Sequence, residues 1–286
     1  MEMQTQVQPQ ARQVVKSVRQ QVQDAFGSVE MQAALSVVPP WIDRQEFAAQ
    51  AAADAADPAL ASVPLPELVR GYLTIARMGM MPGPCKHVAR VPRGQTLDVQ
   101  AQWQGVQYVL RQGGWAVSAH IVLHDDRLEL ATIGPDEFDV LRHDYADPFA
   151  RVVTKANLRG AYAKGVNLRT NETIYRMVPL ERIERANKAA KTQSIWNTDF
   201  AAMVSKTVFH QAASRRWFPL AADVQAALAM AEELDFDPTP KERKPLSIGV
   251  AAAPLRLVQE IQPEPEQLVL TADQCNQGDE VQPCQP

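Results

Sequence analysis

The sequence predicts an α+β fold: a helical N-terminal part, a central antiparallel sheet with hairpins, long C-terminal helices and a disordered acidic tail. Three observations predict it. Helical spacing of apolar residues, framed by caps and breakers, fills the chain up to Gly79. Strand-type alternation between turn residues runs from His87 to Val178. Beyond Asp237, prolines at 238, 240, 245, 254, 263 and 265 stand among many Gln and Glu, a composition that buries no core. The expected organisation is a flexible segment 1–27, a core 28–237 and a tail 238–286.

Each element has a local cause. A helix from about Ser28 stops before Pro39-Pro40. Asp43 caps a second helix that Asp57-Pro58 ends. Pro66 fits the first turn of a third, Glu67 to Met78, closed by Gly79. Strands at 87–91 and 96–101 flank the turn Pro92-Arg93-Gly94. Trp103, Val106 and Leu110 share one side of a helix that Gly113-Gly114 ends. Strands 115–123 and 128–133 are expected to pair as a hairpin around 124–127, with another strand at 138–142. A hairpin at 161–178 turns at Thr170-Asn171-Glu172. Pro179 opens a helix to about Ala190, a long helix covers 199–217, and the last runs from Ala222 to Glu233.

With 286 residues, 46% hydrophobic and 22% charged, the chain has the means to bury a sizeable core. No apolar run approaches the roughly 20 residues of a membrane helix, and the first residues lack the layout of a secretion signal. A cytoplasmic location, in a bacterial host or phage-infected cell, is expected. Cys85, Cys275 and Cys284 are too few and too far apart for a disulfide framework or zinc knuckle. The net charge of −4 hides an asymmetry. From Arg142 to Arg216 there are 14 Lys and Arg against 6 Asp and Glu; from Glu232 to Pro286 there are 4 against 11. A basic body with an acidic tail fits a polyanion ligand, although a solvated surface gives the same counts.

The chemistry that is missing is equally informative. No GxxxxGK phosphate loop and no GxGxxG after a strand occur, which excludes an ATP-driven recombinase of the filament-forming type. His120, His124 and Asp125 stand near one hairpin tip, where a metal-dependent nuclease reading would use them and an ordinary polar turn would not. No residue pattern argues for a catalytic residue. The basic positions say more. Arg142, Arg151, Lys155, Arg159, Lys164, Arg169 and Arg176 recur along strands and turns, followed by Arg182, Arg185, Lys188 and Lys191. Cations at such intervals can neutralise successive phosphates. Of these, Lys155, Lys164, Arg169, Lys188 and Lys191 are candidate nucleic-acid contacts. Trp103, Trp115, Tyr162, Trp196 and Trp217 are interleaved, and a ring of this kind can stack on an unpaired base or sit in the core.

The run Trp196-Asn-Thr-Asp-Phe-Ala-Ala-Met203-Val-Ser-Lys206-Thr207 resembles the W-x6-M-x-x-K-T signature of the RecT family of single-strand annealing proteins. Ala76-Arg-Met-Gly-Met-Met-Pro82-Gly83 is similar to that family's turn after a helix. The stretch Val99 to Gly113, with Trp103, Gln104, Gly105 and Arg111, is similar to its aromatic-basic-glycine helix. The hairpin 160–178 and the helix from Pro179 follow in the family's order. The resemblance covers roughly Ser28 to Glu233. It implies nucleic-acid contacts at Gln104, Arg111, Trp196, Lys206, Gln211, Arg215 and Arg216. Two departures matter: Gln104 stands where a Lys or Arg is usual, and seven residues separate Thr207 from Arg215. On a straight helix Arg216 lies about 80° from Lys206 and Arg215 on the opposite side, which favours Arg216 as the partner.

The resemblance further implies ATP-independent pairing of single-stranded DNA into duplex on a homo-oligomeric ring or helical filament. A double-strand exonuclease and the host single-strand binding protein are implied as partners, with no cofactor required and Mg²⁺ expected to modulate DNA binding. Three other readings stand beside it: a single-strand protector without annealing activity, the metal-dependent nuclease, and an assembly protein whose basic face binds an acidic protein.

Overall fold

The structure, a computed structural model, describes residues 16–133, 138–190 and 193–236. The chain divides into two units, Met1–Leu255 and Arg256–Pro286, and everything below concerns the first. The expected tail, 238–286, lies outside the described residues.

The helical N-terminal part forms from its own caps. Helix α1 (Val18–Phe26) starts at Ser17, whose hydroxyl accepts the Gln20 N–H. Helix α2 (Val29–Ala34) starts the same way at Ser28 and tightens into a 3₁₀ turn, Leu35–Val37, before the proline pair. Asp43 accepts the Glu46 N–H at 2.7 Å and opens α3 (Arg44–Asp54). Helix α4 (Leu65–Arg77) carries Pro66 in its first turn, and Gly79 closes it at φ 66°. The segment 1–27, expected to be flexible, is helical over Val18–Phe26. The reason is burial: Val22 and Phe26 are enclosed, and Phe26 packs against Phe47 of α3 at 5.9 Å between ring centroids.

Strands β1 (Val88–Arg93) and β2 (Thr96–Ala101) pair around Gly94-Gln95, one or two residues later than expected, because Gly94 takes the left-handed conformation. Helix α5 (Trp103–Gln112) follows directly. Strand β3 (Trp115–Leu123) does not pair with β4 (Arg127–Thr132), which corrects the hairpin expected there. Instead β3 pairs with β6 (Leu158–Asn167), which pairs with β7 (Thr173–Pro179), while β4 and β5 (Phe138–Asp144) form a separate two-stranded ribbon. All pairings are antiparallel, and the β6–β7 hairpin is the one expected.

Asp126 accounts for the difference. Its carboxylate is fully enclosed and takes the N–H of Leu123, the last residue of β3, at 2.7 Å, while the next N–H, of His124, bonds to the Asn157 carbonyl just before β6 rather than to β4. Arg151 donates to both carboxylate oxygens at 2.7 Å and also to the Ile121 carbonyl. A carboxylate can only accept, so the 3.3 Å contact from His143 Nε2 makes that nitrogen the donor, and His143 Nδ1 is hydrogen-bonded to the Tyr162 hydroxyl at 3.0 Å. The ribbon is thereby joined to the sheet through side chains.

One face of the three-stranded sheet packs on the C-terminal helices. Helices α6 (Leu180–Ala189), α7 (Ser194–Thr198), α8 (Phe200–Ser214) and α9 (Ala222–Phe236) follow in order, with α5, α8 and α9 against one another and α5 and α8 against β3. Asp199 caps α8 by accepting the Ala202 N–H. Gly165 in β6 lies under the Phe218 ring, where a Cβ would come within 2.1 Å of a ring carbon. His210 sits inside α8, and burial pushes its imidazole down to about 4.

Burial alone would raise the Asp126 carboxyl, but the Arg151, Leu123 and His143 hydrogen bonds overcome it and hold the group well below the usual carboxylate range. Such a group stabilises fully above the unfolded value of about 3.9, and the contribution is lost as pH falls below it toward the folded value. Asp126→Asn should therefore cost on the order of 3–5 kcal/mol in urea unfolding at pH 7, because a half-buried guanidinium loses its partner. The gap between wild type and variant should shrink below about pH 4.

Candidate nucleic-acid interface

The polar face of α5 is set by spacing. Gln104, Gln107, Tyr108 and Arg111 fall at i, i+3, i+4 and i+7, opposite the buried Val106, Val109 and Leu110. Gly105 brings this helix close, since a Cβ there would lie 2.4 Å from the His87 carbonyl. The result is an open cleft of about 340 Å³ lined by His87, Gln104, Gln107, Tyr108, Arg111 and the start of β3. The His87 ring stacks on Tyr108 at 4.4 Å, and its Nδ1 accepts the Met81 N–H. Burial pushes His87 down, so the ring is neutral at pH 7. Gln107 donates to the Val117 carbonyl at 2.9 Å. Gln104 is among the lining residues, and its buried Oε1 has no partner among the described residues. Arg111 is exposed at the rim.

A second group stands on α8, which packs beside α5 through the stacked Trp103 and Phe209 rings, 5.4 Å apart. Lys206 and Gln211 are half-buried on this helix. Gln211 Oε1 accepts from Arg215 Nε at 3.0 Å, so Gln211 orients the arginine. The helix ends at Ser214, and Arg216 takes φ 51° beyond it. The straight-helix angle that favoured Arg216 over Arg215 therefore does not apply: the chain leaves the helical path between them. Both arginines are exposed, and Arg216 lies in the field of Glu232 on α9.

The remaining positions are spread over the sheet and its turns. Lys164 stands opposite Ser118 on the sheet face away from α8, 6.0 Å from the Tyr175 ring centroid. Arg169 is exposed in the β6–β7 turn, Lys155 in the turn before β6, and Lys188 near the end of α6. Lys191 lies outside the described residues. Trp196 is 3% exposed and packs against Phe200, so neither face of its ring is open to a base. Its expected stacking role is corrected to a core role. Trp115 and Tyr162 are buried as well.

Charge pairing sorts the basic positions further. Arg142 bonds Asp144, Arg151 bonds Asp126 and Arg185 bonds Glu181; the Arg151 pair is enclosed and holds structure, whereas the other two are exposed surface pairs. Arg111, Lys155, Arg169 and Lys188 make no ion pair among the described residues. The nuclease cluster does not form: His120 stacks on Tyr162 at 4.8 Å, His124 is exposed, and no three His, Cys, Asp or Glu among the described residues converge as metal ligands. Gln107, His87 and Tyr108 were not anticipated as site residues, although the polar spacing of α5 pointed to two of them.

The RecT family model matches residues 48–246, more than half of the chain and a span that includes the cleft and α8. The chain belongs to the RecT family. No curated protein matches it significantly. RecT membership makes this a DNA-binding protein of the phage-type, single-strand annealing class of recombination. It also accounts for the order of elements, since the W-x6-M-x-x-K-T run occupies α7 and α8 and the aromatic-basic-glycine run occupies α5. Among the described residues no helix is long and apolar enough to cross a membrane.

Glu232 offers a test of the α8 end. Burial pushes its carboxyl up to about 7 against the opposing pull of Arg216 and Ser214. It is largely neutral at pH 6 and largely charged at pH 8. Glu232→Gln should tighten binding of an oligo-dT strand at pH 8 by roughly 2- to 5-fold, the scale of a partly exposed ion pair, and leave it unchanged at pH 6. Fluorescence anisotropy of the two proteins at both pH values measures this.

Proposed function

We propose that this protein anneals complementary single strands of DNA without ATP, on a ring or helical filament of identical subunits. The observation that carries the reading is the RecT match across residues 48–246. The strand backbone follows a basic groove made by the α5 cleft, with Gln104 and Arg111, and the α8 end, with Lys206, Arg215 and Arg216. Lys155, Lys164, Arg169, Lys188 and Lys191 extend the field. Gln104 contributes a hydrogen bond where a cation would give charge.

The mechanism follows from elementary energetics. Pairing and stacking between the strands supply the driving force, and the protein screens phosphate repulsion while keeping bases unfolded and accessible. The strands themselves read sequence, so contacts to phosphate suffice. Each neutralised phosphate of a single strand releases counterions and adds about 0.7 to the slope of log affinity against log salt. No nucleotide cofactor takes part, and Mg²⁺ tunes binding by competing for phosphates. A double-strand exonuclease supplies the single strands, and the host single-strand binding protein is the other partner, in the cytoplasm. The acidic tail serves outside the annealing body.

The first experiment is fluorescence-quench annealing of two complementary oligonucleotides without ATP. Pairing faster than the protein-free rate is expected; tight binding that slows pairing would make the protein a single-strand protector. In salt titrations, Arg111→Ala and Lys188→Ala should each lower the slope by roughly 0.7, whereas Arg142→Ala, whose charge Asp144 already answers, should leave it unchanged. A chain ending at Asp237 should still bind DNA and anneal; loss of both would assign the tail to the annealing body.

A further inference from the structure

The α5 cleft carries groups that a phosphate contact leaves idle. Two of its lining side chains are oriented by the backbone. His87 Nδ1 accepts the Met81 N–H at 3.2 Å, so the proton of the neutral ring sits on Nε2, a donor with no partner among the described residues. Gln107 Nε2 donates to the Val117 carbonyl at 2.9 Å, which leaves Gln107 Oε1 as an acceptor of fixed position. Burial first, then Cys85 and Glu46, push the Tyr108 hydroxyl above its usual range, so it stays protonated and can donate. Gln104 adds its buried, unpartnered Oε1 to the same lining.

The rest of the lining suits a flat ring. The His87 and Tyr108 rings stack at an interplanar angle of 28°, both half-buried and both at the cleft surface, and Ala116 and Val117 add apolar contact. The volume of about 340 Å³ stands at the small end of the roughly 300–1,000 Å³ usual for small-molecule sites, the scale of one nucleoside. No Asp or Glu lines the cleft, so its chemistry does not suit a cation. A simple anion would leave the acceptors of Gln104 and Gln107 unmet. Arg111 at the rim and exposed Lys86, the residue before His87 and held at φ 54°, make no ion pair among the described residues. A fixed donor, a fixed acceptor, an aromatic stack and flanking cations together describe a nucleobase attached to a phosphate.

We infer that the α5 cleft is a nucleobase site for the bound strand. One unpaired base leaves the stack, lies against the His87 and Tyr108 rings, bonds to His87 Nε2 and Gln107 Oε1, and places its phosphate at Arg111. Every base carries both a donor and an acceptor on its pairing edge, so the site takes any base that is unpaired and rejects one that is paired. A base held in this way interrupts the strand's own stacking, and the complementary strand has to withdraw it before pairing there. The inference rests on the DNA binding proposed above and adds one base contact to a groove of phosphate contacts. A free nucleotide has the same chemistry, and the test separates the two sources.

The test is fluorescence anisotropy of wild type and Tyr108→Leu, each with oligo-dT and with an abasic strand of the same length. Wild type should bind oligo-dT more tightly than the abasic strand. Tyr108→Leu should weaken oligo-dT binding by roughly 5- to 100-fold, the worth of one stacked base, with the salt slope unchanged, and should bind the abasic strand as wild type does. Equal loss on both strands makes Tyr108 structural and overturns the site, as does no loss on either. A second measurement needs no variant: wild type bound to oligo-dT carrying 5-iodouracil is irradiated and its peptides are weighed. Adducts at His87 or Tyr108 are expected, and adducts confined to other residues overturn the site. Free dTMP that displaces oligo-dT at the concentration of the strand itself overturns the assignment to a strand base in favour of a free nucleotide. Wild type that anneals but binds both strands equally loses the base site and keeps the annealing reading. Adducts in the cleft of a wild type that does not anneal keep the site and remove that reading.

Discussion

The enclosed Asp126 carboxylate is the constraint on which the arrangement of this molecule depends. Five bonds converge on it from different parts of the chain: one from the end of β3, one from the end of β5 through His143, one from the Ala146 N–H just beyond β5, and two from Arg151 in the loop before β6. A buried charge without partners is costly, so these segments come together or none of them does. Fixing them decides two things at once. The ribbon leaves the main sheet instead of extending β3, and β3 becomes free to take β6 as its neighbour. The sheet that backs α5 and α8 follows from that choice.

The same pairing logic divides the basic residues into those with a carboxylate partner and those without one among the described residues. Arg142, Arg151 and Arg185 have carboxylates within the chain, and Arg111, Lys155, Arg169 and Lys188 have none among the described residues. A phosphate backbone competes poorly for Arg151, whose partner is enclosed, but more readily for the exposed pairs of Arg142 and Arg185 and freely for the second set. The charge count along the sequence could not make this distinction, because a salt bridge between residues 126 and 151 has no sequence signature.

Local rules read much of the fold. Caps at Asp43 and Asp199, the proline at 66, the glycine at 79 and the 160–178 hairpin all act over a few residues, and each element formed where its neighbours dictate. The failures were tertiary. The β3–β4 hairpin signal around 124–127 was sound as turn chemistry, but Asp126 turned inward and captured the backbone that a hairpin would have used. Trp196 read equally well as stacking platform or core, and only the packing against Phe200 decides. Arg216 was judged on a helix that ends two residues earlier. The α5 cleft was half legible: Gln104 and Arg111 came from the resemblance to the RecT family, while the stacked His87 reaches the site from a loop that precedes β1.

The contact between Gly165 and Phe218 has an evolutionary corollary. The ring occupies the space that any side chain at 165 would need, at 2.1 Å, so the two positions are not independent choices. A relative with alanine or larger at the position of Gly165 must carry something smaller than phenylalanine opposite it, or tilt the strand away from the helix behind it. Residues 165 and 218 should therefore covary through the family's divergence, and a lineage can cross from one pair to the other most easily by shrinking the ring first.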